Sequence, residues 1–507
     1  MATTDVNGVG AVDLRFGTRV TPTRIDHRRR VVTDIAEPVQ LRLHGVSRRG
    51  AQPWRLYGWA NGASSVERCN MTTLTLPRRR FLIVAAGLGL SGLLGCRPRA
   101  SQPGPRHPAR APTPQLTPLP PSPSPAPIRF GVDMFLENPE TLRHQRVGLI
   151  TNQTGRSADG RSTIDLLYAC TDLHLRALFA PEHGLRGAAA PGAPIASGRD
   201  SATGLPVYSL YGQTLQPTPA MLAGLDALVY DLQDVGTRYY TYIWTMALAM
   251  RAAAEQHLRF VVLDRPDPLG GAIVQGNVLD RQFASFVGLY PVPMRYGMTP
   301  GELARYLNSE EGIHVDLTVV PLAGWTRTRY YDETGLPWTP PSPNMPDLES
   351  ALHYPGACLF EGTNLSVGRG TPRAFQQLGA PWVDNAELVR RLAAYSLAGV
   401  RFAAVTFTPA QPGDGKFADQ LVRGVRFITT DRTTYDPTHA ALAALCEMQG
   451  LHADQLMWDL ANFDRRAGSA RVQEQILAGA PLAEITQGWE AQLSAFKRQC
   501  AHYLLYP

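Results

Sequence analysis

The sequence predicts an α/β fold, a parallel-sheet domain followed by a smaller α+β C-terminal domain. Short apolar runs at 146–150, 175–180, 227–231 and 259–263 alternate with helix-like patterns, as in a parallel sheet covered on both faces. Each run ends in polar, reactive residues. From about residue 290 the alternation gives way to a mixed pattern of helices, strands and one long loop.

Arg146–Ile150 is the first strand and ends at Thr151-Asn-Gln-Thr-Gly155. Ser162–Ala169 reads as a helix with Ser162 as its cap. Leu175–Ala180 is the second strand, stopped by Pro181, and Glu182 and His183 follow. Gly184 then lets the backbone turn at no steric cost. Leu205–Tyr211 is a short run and Pro219–Gly224 a helical turn. Ala227–Asp231 is a strand leading into Leu232-Gln-Asp-Val-Gly236, and Tyr242–Gln256 is a helix. Arg259–Leu263 ends at Asp264-Arg-Pro266. In the second part, Thr299–Leu307 is a helix with Thr299 and Glu302 at capping-box spacing. His314–Pro321 alternates like a strand, and Trp325–Phe375 reads as loop. Helices are expected near 385–398, 437–448, 473–480 and 481–503, and strands near 400–407 and 421–429.

The N-terminal portion is of another kind. Residues 1–128 hold 18 Arg, no Lys and six acidic residues, a balance of +12. The whole chain is +6, so residues 129–507 carry about −6. An acidic body argues against a nucleic-acid partner. Arg78-Arg-Arg-Phe-Leu82 is a basic, twin-arginine-like start, Phe81–Leu94 is an apolar run, and Leu93-Leu-Gly-Cys96 resembles a lipoprotein cleavage box. This is the pattern of an export signal, too short to span a membrane. Met71 stands where such a signal begins. Residues 1–70 show no sustained periodicity and read as a disordered extension or a start assigned too early. Between Arg97 and Ile128 there are 12 Pro and no acidic residue, the composition of an extended tether without a core. The expected layout is therefore an extension (1–70), a signal (71–96), a tether (97–128), the sheet domain (129–290) and the α+β domain (291–507). A lipid on Cys96 would make the protein an exported, membrane-anchored lipoprotein. Cys170, Cys358, Cys446 and Cys500 lie far apart with no metal spacing. Disulfides and buried free thiols both stand open for them.

The candidate site lies at the strand ends, because ligands of open α/β sheets bind outside the carboxyl ends of strands. Those ends offer Asn152 and Gln153; Glu182 and His183; Asp231, Gln233 and Asp234; Asp264 and Arg265. Glu182 is either an acid/base group or a helix cap paired with Arg186, one turn on. His183 is either functional or a satisfied half-buried imidazole. Asp231 and Asp234 either act on a ligand or fix the loop as Asx turns, and Arg265 either binds or forms a structural ion pair. In Tyr239-Tyr-Thr-Tyr-Ile-Trp244 either alternate members enter the helix core, the commoner fate, or the first one or two line a cleft. Aromatic faces beside carboxylates and amides suit a sugar ring. Phe360–Gly370 adds Glu361, Asn364, Ser366 and Arg369, with Arg369 a natural partner for a substrate carboxylate.

Several classes are disfavoured. A phosphate-binding loop of Walker type is missing and the dinucleotide fingerprint is absent after the first strand, which argues against a nucleotide cofactor, and no cofactor of another kind is implied. Gly-x-Ser-x-Gly, His-Glu-x-x-His and paired Cys-x-x-Cys are missing too, which argues against a serine hydrolase and a dedicated zinc site. A tethered protein that binds its ligand without cleaving it and a metal-dependent amidase using Glu182, His183 and Asp231 both fit these residues.

Six ordered motifs carry a resemblance over about Phe130–Tyr506. They are Asn152-Gln-Thr-Gly, Pro181-Glu-His-Gly, Asp231-Leu-Gln-Asp-Val-Gly-Thr-Arg-Tyr-Tyr-Thr-Tyr, Leu263-Asp-Arg-Pro, Arg295-Tyr-Gly-Met-Thr and Glu361-Gly-Thr-Asn-Leu-Ser-Val-Gly-Arg-Gly-Thr. With them the chain resembles the exo-β-N-acetylmuramidase NamZ family, glycoside hydrolase family 171. The resemblance implies a Rossmann-like domain, a smaller C-terminal domain and an active site in the cleft between them. It also implies release of N-acetylmuramic acid from non-reducing ends of peptidoglycan fragments, muropeptides or disaccharides. Glu182 then matches the key carboxylate and His183 its neighbour. Asp231, Asp234, Arg238 and Tyr239 fall in the next motif, and Glu361, Asn364 and Arg369 in the last. A lactyl carboxylate would suit Arg369 or Arg238. Asp267 stands where the family pattern has Asn, Tyr296 where it has His, and Asn277 where it has Pro.

Overall fold

The computed structural model describes residues 127–507 except Ala188. The expected export signal, Cys96 and all but the last two residues of the tether lie outside the described residues. The strands are β1 (Arg146–Thr151), β2 (His174–Ala180), β3 (Gly198–Arg199), β4 (Pro206–Ser209), β5 (Ala227–Asp231), β6 (Arg259–Leu263), β7 (Gln275–Val278), β8 (Pro293–Arg295), β9 (Asp316–Val320), β10 (Gln377–Ala380), β11 (Val400–Phe407) and β12 (Val422–Thr429).

Seven of them form one sheet in the order β3-β4-β2-β1-β5-β6-β9. Every neighbouring pair in it is parallel except β3 with β4. The chain starts in the middle at β1, moves out through β2 and β4, and returns to the other side at β5. That reversal is a topological switch point, where open α/β sheets bind ligands. The sheet takes its last strand, β9, from beyond residue 290.

Alternation sorts the strand side chains between two cores. Val147, Leu149, Val229, Val261 and Leu263 join one core, with Phe130, Phe135 and Leu167. Ile150, Leu228, Tyr230, Phe260 and Val262 face the other, which continues into Leu442, Leu445 and Phe463 of the C-terminal part. Two covered faces explain the nearly unbroken apolar runs. The helix Tyr242–Glu255 lies on the second face and is buried almost throughout. The C-terminal part is smaller and mixed. β10, β12 and β11 form an antiparallel sheet, and helices at Leu348–Ala357, Asn385–Ala393 and Pro437–His452 pack around it. The fold is thus the predicted α/β domain followed by a smaller α+β portion.

The helix Leu460–Ala467 and the short strands β3, β7, β8 and β10 were not expected, and two expected stretches turn out differently. The stretch read as loop contains the helix Leu348–Ala357, which carries Pro355 inside it. Its pattern is obscured because nearly all of its residues are buried, leaving no polar face to mark a helical period. The expected helix over 481–503 breaks into Leu482–Ile485 and Trp489–Cys500. Gly488, at φ +87°, makes the break. The four described cysteines are all free thiols.

Candidate active site

A cleft of about 370 Å³ opens beyond the carboxyl ends of β2 and β5. From the sheet side it is lined by Glu182, His183, Tyr211 and the run Tyr239–Thr241; from the C-terminal part it is lined by Tyr354, Glu361, Arg369, Phe375, Asp414 and Arg466. Phe286, Ser342 and Asn344 line it as well.

Glu182 is half-buried at the end of β2. Its Oε2 accepts from the Thr241 hydroxyl at 2.7 Å and its Oε1 from the Gly192 amide at 3.0 Å. Thr241 is the N-cap of the helix Tyr242–Glu255, yet its hydroxyl does not bond back to the helix. It points instead at Glu182, so the carboxylate sits at the positive end of a 14-residue helix. Tyr211 lies alongside, its phenol pushed up to about 12 by burial and by the Glu182 charge. His183 takes a left-handed backbone, φ +70°, followed by Gly184 at +75°. That conformation is uncommon for a residue with a side chain. It is held by His183 Nδ1, which donates to the Ala189 carbonyl at 2.8 Å. The carbonyl can only accept, so Nδ1 carries a proton and Nε2 is left free of this contact.

The other strand ends support this wall from behind. The Asn152 amide donates to the Tyr242 hydroxyl at 2.8 Å, and that hydroxyl donates to the Pro341 carbonyl at 2.6 Å. Gln153 donates to the Pro340 carbonyl at 2.9 Å. Asp231 is fully buried and bound by Arg265 through two contacts, at 2.5 and 3.0 Å, and by the Thr163 hydroxyl at 2.5 Å. Asp234 is buried, accepts from the Gly236 amide at 2.7 Å and from the Tyr296 hydroxyl, and is lifted by burial to about 7. None of these lines the cleft. Arg238 is fully buried and donates to the carbonyls of Asn277, Val292, Arg466 and Ala467 at 2.8–3.0 Å. It too is absent from the cleft wall. Asn364 bonds to Gln455 and Met457 at 2.9 and 3.0 Å, outside the cleft. Of the residues singled out in the sequence, the structure brings Glu182, His183, Tyr239, Glu361 and Arg369 together on one cavity.

Glu361 faces the cleft between two guanidinium groups. Arg369 Nε donates to its Oε1 at 2.8 Å, and Arg466 Nη2 to its Oε2 at 3.2 Å. Burial alone would raise this carboxyl; the two arginines outweigh burial and hold it at about 2.

The N-terminal part of the family described as exo-beta-N-acetylmuramidase NamZ matches residues 147–349, and its C-terminal part matches 352–506. The chain belongs to the NamZ family. It is 43% identical over 381 residues to the peptidoglycan beta-N-acetylmuramidase NamZ of Bacillus subtilis (strain 168), covering 75% of this chain and 91% of that one. Two crystal structures of DUF1343 family proteins from Bacteroides fragilis NCTC 9343 share the fold. They are 37% and 31% identical, with TM-scores of 0.70 and 0.61, and each match covers 75% of this chain and 99% of theirs. The NamZ assignment agrees with the motif resemblance. The six motifs mix cleft residues such as Glu182 and Glu361 with supports such as Asn152, Asp231 and Arg238. Nothing in the sequence singles out Tyr211, Ser342, Asn344 or Arg466. Thr241 had a readable signal, since it immediately precedes the helical pattern. Arg466 had none, standing 105 residues from the carboxylate it binds.

Among the described residues no three His, Cys, Asp or Glu side chains are grouped as a metal ion requires. The ligand set considered for an amidase is divided, because Asp231 is bound to Arg265 away from the cleft.

Proposed function

We propose that this chain is an exo-acting glycoside hydrolase that releases N-acetylmuramic acid from non-reducing ends of peptidoglycan fragments, with Glu182 as general acid. NamZ membership and the named activity of the Bacillus relative support the substrate class. The observation that carries the role of Glu182 is its setting. It is a half-buried carboxylate at a strand end, held by Thr241 and Gly192, on a cleft with aromatic walls. A glycosidase needs such a group to protonate the departing oxygen.

The second requirement is stabilisation of the anomeric carbon. Asp231 and Asp234 lie behind the wall, and both oxygens of Glu361 are taken by arginines. This favours the acetamido group of the substrate itself. Glu182 gives its proton to the glycosidic oxygen as the bond from that oxygen to C1 breaks, and the acetamido oxygen closes on C1. Water then adds to C1, reopens the ring and returns a proton to Glu182. His183, with Nε2 free of the Ala189 contact, binds a sugar hydroxyl. Glu182→Gln should lower turnover of a chromogenic N-acetylmuramide by roughly 10²–10⁴-fold with the fold intact by circular dichroism. Near-wild-type turnover would sink the assignment, and tight binding with no hydrolysis by the wild-type protein would sink the enzyme reading itself.

The same reading extends to location. The Arg78–Cys96 pattern supports an exported protein lipidated on Cys96. Labelled palmitate should enter the protein, and Cys96→Ala should abolish that and release the protein from membranes.

A further inference from the structure

We infer that Arg369 and Arg466, held apart by Glu361, form a subsite that binds one anionic substituent of the sugar in the cleft and thereby selects acidic over neutral sugars. The inference rests on the function proposed above and assigns its specificity. Glu361 lies between the two guanidinium groups, so the trio carries one positive charge in excess. Asp414, which also lines the cleft, acts on both Arg369 and Lys416, and these five groups together still carry one positive charge in excess. All three side chains are largely withdrawn from water, with 9%, 13% and 15% exposure for Arg369, Glu361 and Arg466. An unbalanced charge there is poorly screened and favours an anion.

The donors are arranged for it. Arg369 directs Nε and Nη2 at Glu361, and among the described residues its Nη1 has no hydrogen-bond partner. Its plane is fixed over the Phe375 ring at 4.9 Å. Arg466 is anchored through Asn462 and Glu361 at the end of the helix Leu460–Ala467. A guanidinium held this way reads a carboxylate by geometry as well as charge. Glu361 is therefore a positioning residue for two cations, and Arg238, buried against carbonyls, takes no part.

The test measures calorimetric binding to full-length Glu182→Gln protein of N-acetylmuramic acid and of its lactyl methyl ester, which is neutral and larger by one methyl group. The acid should bind roughly 10- to 100-fold more tightly, the size of one charge-assisted contact. Adding Arg466→Met should bring that ratio close to one, and Arg466→Lys should restore part of it by returning the charge. Equal binding of acid and ester, or a ratio unmoved by Arg466→Met in a protein with native near-ultraviolet circular dichroism, overturns the subsite. If the wild-type protein still hydrolyses the N-acetylmuramide in that case, only the subsite falls. If it neither binds nor hydrolyses, the function falls with it.

Discussion

At the scale of single residues, the motifs separate into side chains that face the cleft and side chains that hold it. Glu182 and Asp234 look alike in the sequence, each just past a strand end. Burial divides them: Glu182 opens onto the cleft, while Asp234 is sealed beneath with Asp267 and Tyr296. Asp267 is also lifted by burial to about 7, against the pull of Arg295. Its Oδ1 accepts from the Leu269 amide at 2.9 Å, and its Oδ2 has no partner. An Asp lifted to about 7 in the fold keeps its proton where the unfolded chain, near the ordinary value of about 3.9, has lost it. Unfolding therefore releases a proton between those values. The associated stability is complete below about pH 4 and drains away as the pH rises towards 7. Asp267→Asn keeps an acceptor for Leu269 and cannot ionise, and it restores the residue the family pattern has there. Its melting temperature should fall less than that of wild type between pH 5 and pH 8. Parallel slopes for the two proteins would show that Asp267 does not titrate in that range.

At the scale of elements, the centre of the sheet was legible because β1, β2, β5 and β6 are largely buried on both faces and read as nearly unbroken apolar runs. β1, β2, β5 and β6 lie where the sequence puts them. β11 and β12, near 400–407 and 421–429, were legible too, from alternation on a half-covered sheet. Short elements were not: β3, β7, β8 and β10 have at most four residues, too few to set a period. The joints between elements were also hidden, and Arg238 is the main one. In the sequence it belongs to a motif next to Tyr239. In the structure it ties β7 and the segment before β8 to the end of the helix that carries Arg466, 228 residues away. It meets four carbonyls and no carboxylate, and burial pulls its pKa down. Removing the guanidinium leaves these acceptors bare at about 1–3 kcal/mol for each one that water cannot reach. Arg238→Met should therefore cost several kcal/mol in urea unfolding, with m unchanged. Selectivity for the acidic sugar should weaken with it, because Arg466 loses its backbone anchor. A stability loss under about 1 kcal/mol would mean that water or neighbouring donors replace the guanidinium.

At the scale of the whole molecule, the two parts of the family pattern share one core. The match divides between residues 349 and 352. The larger hydrophobic core ignores that division: it joins Tyr230, Phe260 and Trp244 of the sheet side to Tyr354, Leu442, Leu445 and Phe463 beyond it. The cleft is built the same way, with Glu182 contributed by one part and Glu361, Arg369 and Arg466 by the other. A site that needs both parts in register gains from a core that cannot come apart, since small displacements of catalytic groups are costly. The mostly parallel order of the sheet was legible from sequence, but this sharing was not, because it depends on contacts far apart in the chain, as between Arg238 and the Arg466 carbonyl, 228 residues on. The folded body should consequently unfold in one cooperative step. Tryptophan fluorescence draws on Trp244 before the division and on Trp458 and Trp489 after it, so it samples both parts. Fluorescence and far-ultraviolet circular dichroism should give coincident transitions, and a fragment ending at residue 350 should fail to fold because it strips Tyr239 and Tyr240 of Tyr354 and Pro355. Two separated transitions, or a soluble and cooperatively folded fragment, would mean that each part is stable alone and that the cleft is an interface between independent domains.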